Sequence, residues 1–473
     1  MGKIFLTTTL PYANSIPHIG HMFEFVLGDA ITRYFRLENN EVFFNTGLDC
    51  HGTKIKQKAD ELGITPHEYI KTLEPIWKDF CGKFDIKYDN FYLTSDPKHH
   101  EFVQGFWHVF MGRNEIYKKP YKSLYCVGCE SFKQDKELVD GKCPDHHTLT
   151  LDEVEEENYF FRLGDHKEKL LTWLKNSPSF LEPQYKRGEL INMIEETGDI
   201  SISRLKAKCP WGVEVPDDPE HVIYVWFDAL LNYVIAANEL WNHEDTNIIQ
   251  ICGPDNLRFQ AIIFQGMLDA LHFRKTNKLL VHGTIVDSNG KKMSKTEGNV
   301  IDPIDQLNKF GLDAVRYYAL AGLSTYSDSS WNEEDLRLKF NADICNSWGN
   351  FISRVLHLMD TKCEGEYFTS VTPDFFKILV DGEKNITDLW NKFQIKEALA
   401  RTAELVSYGN KYINDHKPWS ETDPERVKRI LSDCYHLIWT VSRLYVPVFP
   451  NKAEIIDKAL RERKKVILFE KIP

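Results

Sequence analysis

Three groups of residues in this 473-residue chain have the types and spacing to do chemistry. The first is His18-Ile19-Gly20-His21, between the apolar run KIFLTTTL and the stretch HMFEFVLGDAITRYFRL. Two imidazoles three apart supply only two metal ligands, too few for a closed tetrahedral site. At a helix entrance they can instead donate to an anion beside backbone amides that favour negative charge. Gly20 leaves room there for a nucleotide to lie against the backbone. The second group is KKMSKT, residues 291–296, with Gly290 before it and Gly298 beyond. Lysines on such a loop suit a triphosphate whose charge grows at the leaving group. Taken singly, each of these two motifs also reads as a solvated loop. The third group is Cys126-x2-Cys129 followed, after thirteen residues, by Cys143-x2-His146. Two close pairs of ligands suit tetrahedral Zn²⁺, and a closed set of four implies a structural role. His147 is an alternative fourth ligand.

These groups need elements to hold them. KIFLTTTL (3–10) is β-rich and stops at Pro11. In 21–37, Met22, Val26, Ala30 and Tyr34 recur at helical spacing, and EVFFNTGL (41–48) is a second strand. Strand, long helix, strand is a βαβ unit, which requires a parallel sheet and a right-handed crossover. Ligands of such sheets bind beyond the carboxyl ends of the strands, where PHIGH falls. Thr65-Pro66-His67-Glu68 is a capping box, and Asp96-Pro97 opens another helix. From about Tyr117 to Pro216 the texture changes to tyrosines, glycines, cysteines and short alternating runs. The α/β pattern then resumes through 221–240, 247–253, 258–271 and 278–286. A sheet interrupted and resumed predicts a split nucleotide-binding fold. Beyond about residue 330 only amphipathic helical segments remain, separated by Asp/Pro and Lys-Pro breaks, which predicts an all-α bundle.

Composition narrows the function classes. The net charge is −12 with 42% hydrophobic and 27% charged residues. A protein that coats nucleic acid indiscriminately would be basic, so any such contact must use a local patch. The start of the chain lacks the apolar core and cleavage site of a signal peptide. No apolar run approaches the roughly 18 residues of a spanning helix, so no membrane partner is expected. The scattered cysteines do not suggest a disulfide framework, and a cytoplasmic location is the default expectation.

HIGH together with KMSKT, on a split nucleotide-binding fold, resembles the signature pair of class I aminoacyl-tRNA synthetases. LPYANSIPHIGH, TGLDCHGTKI, EENYFFRL, SISR, YVWFDAL, KKMSKTEGNVIDP, GLDAVRYY and the closing VILFEKIP resemble the methionyl-tRNA synthetase family nearly end to end. The fold class this resemblance implies is α/β: a split Rossmann-type parallel sheet with a zinc-containing connective insertion, then an all-α anticodon-binding helix bundle. The expected boundaries are 1–116 and 217–282 for the two Rossmann halves and 117–216 for the insertion with its zinc knuckle. Residues 283–335 would form the KMSKT loop and stem-contact region, and 336–473 the anticodon-binding domain.

The resemblance also implies an activity: attachment of methionine to tRNA(Met), including the initiator, through a methionyl-adenylate made from ATP with Mg²⁺. His18 and His21 would bind the ATP phosphates and stabilise the transition state. Lys292 and Lys295 would neutralise the pyrophosphate. Gly20, Glu24, Gly253 and Asp255 would serve ATP, with Asp255 at the ribose. Asp49 would hold the substrate ammonium, and Arg204 would lie near the reacting groups. The amino-acid pocket would use Leu10, Tyr12, Trp226, Ala229, Tyr233, Asn256 and Gln260. The resemblance favours His146 beside Cys126, Cys129 and Cys143 for one structural Zn²⁺ per chain. Asn350, Arg354 and Trp419 would read the anticodon. No appended oligonucleotide-binding dimerisation module follows the helical region, so a monomer is expected.

The chain departs from the family at GPDNLRFQ (253–260), where the usual pattern is close to G-K-D-I-x-x-F-H; AIIFQGML then lacks the usual Trp-Pro. Asn256 and Gln260 fall on the side-chain pocket. An amide can donate to a thioether, or pair with a more polar side chain. A paralogue activating another amino acid therefore stands beside methionine as a reading, with a catalytically silent tRNA-binding protein as a third.

Overall fold

The computed structural model describes residues 2–128, 131–133, 138–144, 147, 149–287, 290, 291, 293, 300–363, 370–462 and 468–473. It divides into two compact units, each assembled from separated stretches of chain.

The first unit comprises 1–16, 42–79 and 88–281. Its centre is a six-stranded sheet built from β1 (Lys3–Thr7), β2 (Glu41–Leu48), β3 (Asn90–Leu93), β4 (Leu181–Glu182), β5 (Thr246–Cys252) and β6 (Lys278–Val281). The strand order is β3-β2-β1-β5-β6-β4. β1 with β5, β5 with β6, β6 with β4 and β2 with β3 all pair in parallel. The buried runs FLT in β1 and IIQIC in β5 are what a strand covered on both faces needs. β1 is flanked by β2 on one side and by β5, some 240 residues downstream, on the other. Strand order reverses there, so a crevice opens beyond the carboxyl ends of β1 and β5. Below it, Phe5, Trp107, Phe110, Phe161, Phe227 and Trp241 belong to one continuous apolar core. The insertion carries a four-stranded antiparallel sheet around Ile116–Cys126 and Asp152–Phe161, and also returns β4 to the edge of the main sheet. Two residues of strand are too short to leave a period-2 pattern in the sequence.

Local signals placed several helices. Thr65 and Glu68 exchange their capping hydrogen bonds at 2.8 and 3.2 Å ahead of helix Pro66–Lys83. Asp96 caps helix Pro97–Gly112, accepting from the Lys98 amide at 2.8 Å.

The second unit comprises 17–41, 80–87 and 282–473. It is helical, from Ile19–Leu37 through Asn350–Lys362, Pro373–Asn391, Ile395–His416 and Pro424–Leu444 to Pro450–Glu462. Compactness thus groups helix Ile19–Leu37 with the C-terminal helices, across the boundaries drawn from sequence. Tyr34 stacks on Trp390 with centroids 5.0 Å apart and donates to the Asn391 side chain at 2.9 Å. The deepest link is ionic. Arg316 and Asp29 are both fully buried and meet at 2.6 Å. The rest of the guanidinium donates to the carbonyls of Phe84, Pro447 and Val448. Asp29 also accepts from Arg33 and from the Lys87 amide. Among the described residues, no helix is long and apolar enough to cross a membrane.

Breaking such a pair leaves a buried guanidinium uncompensated. Asp29→Ala is therefore expected to lower the unfolding free energy by about 3–5 kcal/mol, measured by urea denaturation.

Candidate active site

The crevice at the reversal point is lined by residues that follow three strands. After β1 the chain runs on beside the end of β2: the Asp49 amide donates to Pro11 O at 2.9 Å and the Ala13 amide to Asp49 O at 2.8 Å. Tyr12 and Asp49 form a parallel bridge. After β5 comes a short turn, Pro254–Asn256, and then a helix that opens with a π-turn, Phe259–Ile263. The extra residue in that turn leaves the Gln260 carbonyl to accept from the Gln265 side chain at 2.9 Å. Gln265 in turn binds Thr276, which binds Gln250. The departure from the family pattern at 253–260 thus rests on a buried polar ladder.

Asp49, Leu10, Trp226, Ala229, Tyr233, Asn256 and Gln260 line one cleft of about 300 Å³, mouth included, together with Thr9, Asn232 and Phe259. The sequence reading of Trp226, Ala229 and Tyr233 as one face holds, although two helices, Val225–Leu230 and Asn232–Ala237, share it. Phe259 stacks on Trp226 at 4.2 Å and 17°, forming an aromatic wall the sequence analysis did not name. Gln260 donates to the Tyr233 hydroxyl at 3.0 Å, and its buried Oε1 has no hydrogen-bond partner among the described residues. The cleft has an aromatic wall of Trp226, Phe259 and Tyr233, polar groups from Thr9, Asn232, Asn256 and Gln260, and one carboxylate, Asp49, that is 3% exposed. Arg204 sits on strand Ser203–Leu205, its guanidinium stacked over Tyr224 at 4.2 Å and donating to Ser203 O at 2.7 Å. Gly253 and Asp255 lie at the end of β5, in the turn.

Sequence reasoning missed a buried polar cluster behind this cleft. His51 Nδ1 lies 3.2 Å from Asp228 Oδ2, and His99 Nε2 lies 3.8 Å from Asp228 Oδ1. His51 Nε2 is 3.1 Å from His100 Nε2, and Tyr92 bonds His99 at 3.0 Å. Burial pushes His51 down to about 3 and His100 to about 4, lowers His99, and raises Asp228 to about 6. The one signal in the sequence was proximity: His51 is two residues from Asp49, and Asp228 sits between pocket residues Trp226 and Ala229.

The second unit holds the HIGH residues. His18 caps helix Ile19–Leu37: its Nδ1 accepts from the Gly20 amide at 3.1 Å, and His21 Nδ1 accepts from the His18 amide at 3.2 Å. The rings stack at 3.6 Å. A nitrogen that accepts carries no proton, so both neutral rings carry theirs on Nε2. A Cβ on Gly20 would stand 3.0 Å from the His18 ring, which explains the glycine. Glu24 is buried against His282, 3.1 Å away, and His282 Nδ1 donates to Gly283 O at 2.8 Å. Lys291 closes a turn with Asp287, whereas Lys292 and Lys295 lie outside the described residues. In the helical region, Arg354 donates to Asn414 at 2.9 Å and lies 5.8 Å from the ring of Trp419, which is 43% exposed. Asn350 is exposed one turn before Arg354 on the same helix.

Of the four zinc candidates, Cys129 and His146 lie outside the described residues, and no group of three potential ligands forms among the described ones. Cys126 and Cys143 are fully buried. Around Cys143, residues 139–142 and 144 are exposed. Two buried thiols are donors of the type that would suit Zn²⁺. His147, the alternative ligand, is exposed.

The family model described as tRNA synthetases class I (M) matches residues 4–155 and 147–356. The chain belongs to the class I tRNA synthetases. A methionine–tRNA ligase of Caldanaerobacter subterraneus subsp. tengcongensis is 35% identical over 94% of this chain and 72% of its own. Another, of Thermotoga maritima, is 34% identical over 98% and 76%. Among solved structures, Mycobacterium tuberculosis methionyl-tRNA synthetase in complex with methionyl-adenylate superposes with a TM-score of 0.89. It is 29% identical, covering 96% of this class I synthetase and 93% of that chain.

The histidine cluster makes stability of this synthetase pH-dependent. Unfolded histidines titrate near 6.5, whereas His51 and His100 do so near 3 and 4 when folded. The unfolded state therefore binds protons first, and the stability these groups contribute above pH 6.5 is lost as pH falls toward 4. Asp228, raised from 3.8 to about 6, acts in the opposite sense but is one group against three. The urea midpoint is expected to fall between pH 6.5 and 4, and His51→Phe to flatten that slope.

Proposed function

We infer that this chain activates methionine with ATP and transfers the methionyl group to tRNA. The observation that carries the reading is the cleft: an aromatic-walled slot with a single carboxylate, in a class I synthetase similar to methionine–tRNA ligases over most of its length. A thioether side chain suits the Trp226/Phe259 wall, since sulfur packs well against aromatic rings. Asp49 receives the α-ammonium as a charge-assisted pair.

In the first step a methionine carboxylate oxygen attacks the α-phosphorus of ATP, forming the mixed anhydride as the bond to pyrophosphate breaks. In the second, the 2′-hydroxyl of the terminal tRNA ribose attacks the carbonyl carbon, AMP leaves, and the hydroxyl proton passes to solvent. Catalysis is positioning and charge stabilisation, with no covalent protein intermediate. His18 and His21 donate from Nε2 to the phosphates; Lys292 and Lys295 meet the pyrophosphate. Gly253 and Asp255 take the adenosine, Asp255 at the ribose. Glu24 and Arg204 serve near the reacting groups, and Leu10, Tyr12, Ala229, Tyr233, Asn256 and Gln260 complete the amino-acid pocket. Mg²⁺ accompanies ATP and shields phosphate charge. Cys126, Cys129, Cys143 and His146 would hold one Zn²⁺ as a structural tie. Asn350, Arg354 and Trp419 read the anticodon of tRNA(Met), initiator included, by stacking and hydrogen bonds to unstacked bases. The chain acts as a monomer.

A second reading has one specific observation behind it. The unpartnered Gln260 Oε1 is an acceptor that a thioether cannot satisfy, an omission worth about 1–3 kcal/mol. A side chain with a donor would fill it. ATP–pyrophosphate exchange with each amino acid separates the two: methionine-dependent exchange is expected, and exchange with another amino acid but not methionine would sink the first reading. Metal analysis is expected to find about one zinc per chain, lost in Cys143→Ser; a metal-free, folded wild type would remove the knuckle.

A further inference from the structure

Asp228 is the most deeply buried acid near the cleft, and it breaks the ordinary rule for one. It is 0% exposed, and among the described residues its carboxylate oxygens face imidazole nitrogens, His51 Nδ1 at 3.2 Å and His99 Nε2 at 3.8 Å, with no lysine or arginine paired to it. An ion in that position carries a large desolvation penalty, which an apolar residue of similar size would avoid. Such exceptions are expected where function, rather than stability, selects the residue.

Its neighbours indicate which function. Helix Val225–Leu230 points Trp226 and Ala229 into the cleft and Phe227 into the core against Phe110, Phe161 and Trp107. Asp228 faces His51, at 3.2 Å. His51 sits on the loop that presents Asp49, and its own amide reaches Asp49 Oδ1 at 3.5 Å. The same loop is braced by Thr94, which donates to Asp49 Oδ1 at 3.4 Å and accepts from the Cys50 amide at 2.8 Å. Trp211 clamps it further, donating to Cys50 O at 2.5 Å and accepting from the Gly52 amide at 3.1 Å. On its other side Asp228 faces His99, and His51 faces His100, both from helix Pro97–Gly112. The acid therefore stands where the loop carrying the ammonium ligand, the helix carrying the side-chain wall and a third supporting helix converge.

We propose that Asp228, acting through His51, is a positioning residue that sets the spacing between the ammonium ligand Asp49 and the side-chain wall formed by Trp226 and Ala229. It touches no substrate. It holds at one separation the two ends of the cleft that the amino acid must span, so it governs recognition of the amino acid and leaves ATP to other residues. The inference rests on the amino-acid role assigned to this cleft.

Asp228→Asn keeps the shape and removes the charge. In ATP–pyrophosphate exchange with the full chain, KM for the amino acid is expected to rise about tenfold while KM for ATP shifts less than about twofold. His51→Gln breaks the same contact from the other side and is expected to give the same split, which covers the case of an Asp228→Asn chain that does not fold. A purely structural role moves both KM values together, or lowers kcat with the fraction of folded enzyme. Either result, or unchanged KM values in a folded variant, overturns the proposal. The wild type is assayed first. If it uses another amino acid in place of methionine, the proposed substrate falls and the split is read with the amino acid it does use. If it activates none, both readings fall.

Discussion

A buried carboxylate that is to present a defined face to a cleft must be held rigidly. Asp49 meets that requirement through its place in the sheet. Its backbone is gripped on both sides by the chain leaving β1, and its side chain accepts from a threonine hydroxyl and a main-chain amide. Those neutral donors fix the orientation of the acid within the cleft. Because β1 lies between β2 and β5, the residues following all three strands converge on one cleft. The acid, the aromatic wall and the amide of Gln260 therefore share a site, although Asp49 lies far upstream in the chain from Trp226, Phe259 and Gln260.

The buried charges of the two units illustrate two different uses of the same physics. In the helical unit, Arg316 and Asp29 pair at 2.6 Å with nearly every polar atom satisfied by carbonyls or amides. That arrangement repays much of its desolvation and ties together segments remote in sequence. Behind the cleft, Asp228 faces the imidazoles of His51 and His99 and is raised in pKa by burial, while His51 is lowered by the same burial. The first is an ionic tie that fits a stability role; the second is a buried polar cluster beside the candidate cleft, the kind of place where perturbed groups collect.

Much of the fold was legible because its signals are local. The capping box at Thr65–Glu68, the Asp96 cap and the strand at 41–48 each depend on residues a few positions apart, and each appears where the spacing places it. The first strand ends at Thr7, three residues earlier than its apolar texture suggested, because Thr8–Ala13 leaves the ladder to run beside Asp49. The helix at 258–271 is interrupted by a π-turn, which has no composition of its own.

The sequence by itself determined the chemistry available: paired histidines at a helix entrance, a lysine-rich loop, two cysteine pairs, and the family to which these motifs belong. Such motifs are short, and their meaning lies in residue type and spacing along one stretch of chain. Tertiary structure alone decided which distant groups meet. Phe259 stacking on Trp226, Asp228 facing His51 and Arg316 reaching Asp29 are pairings across tens to hundreds of residues. Burial makes those pairings energetically decisive, and burial is a property of the packed chain, so no local pattern records it.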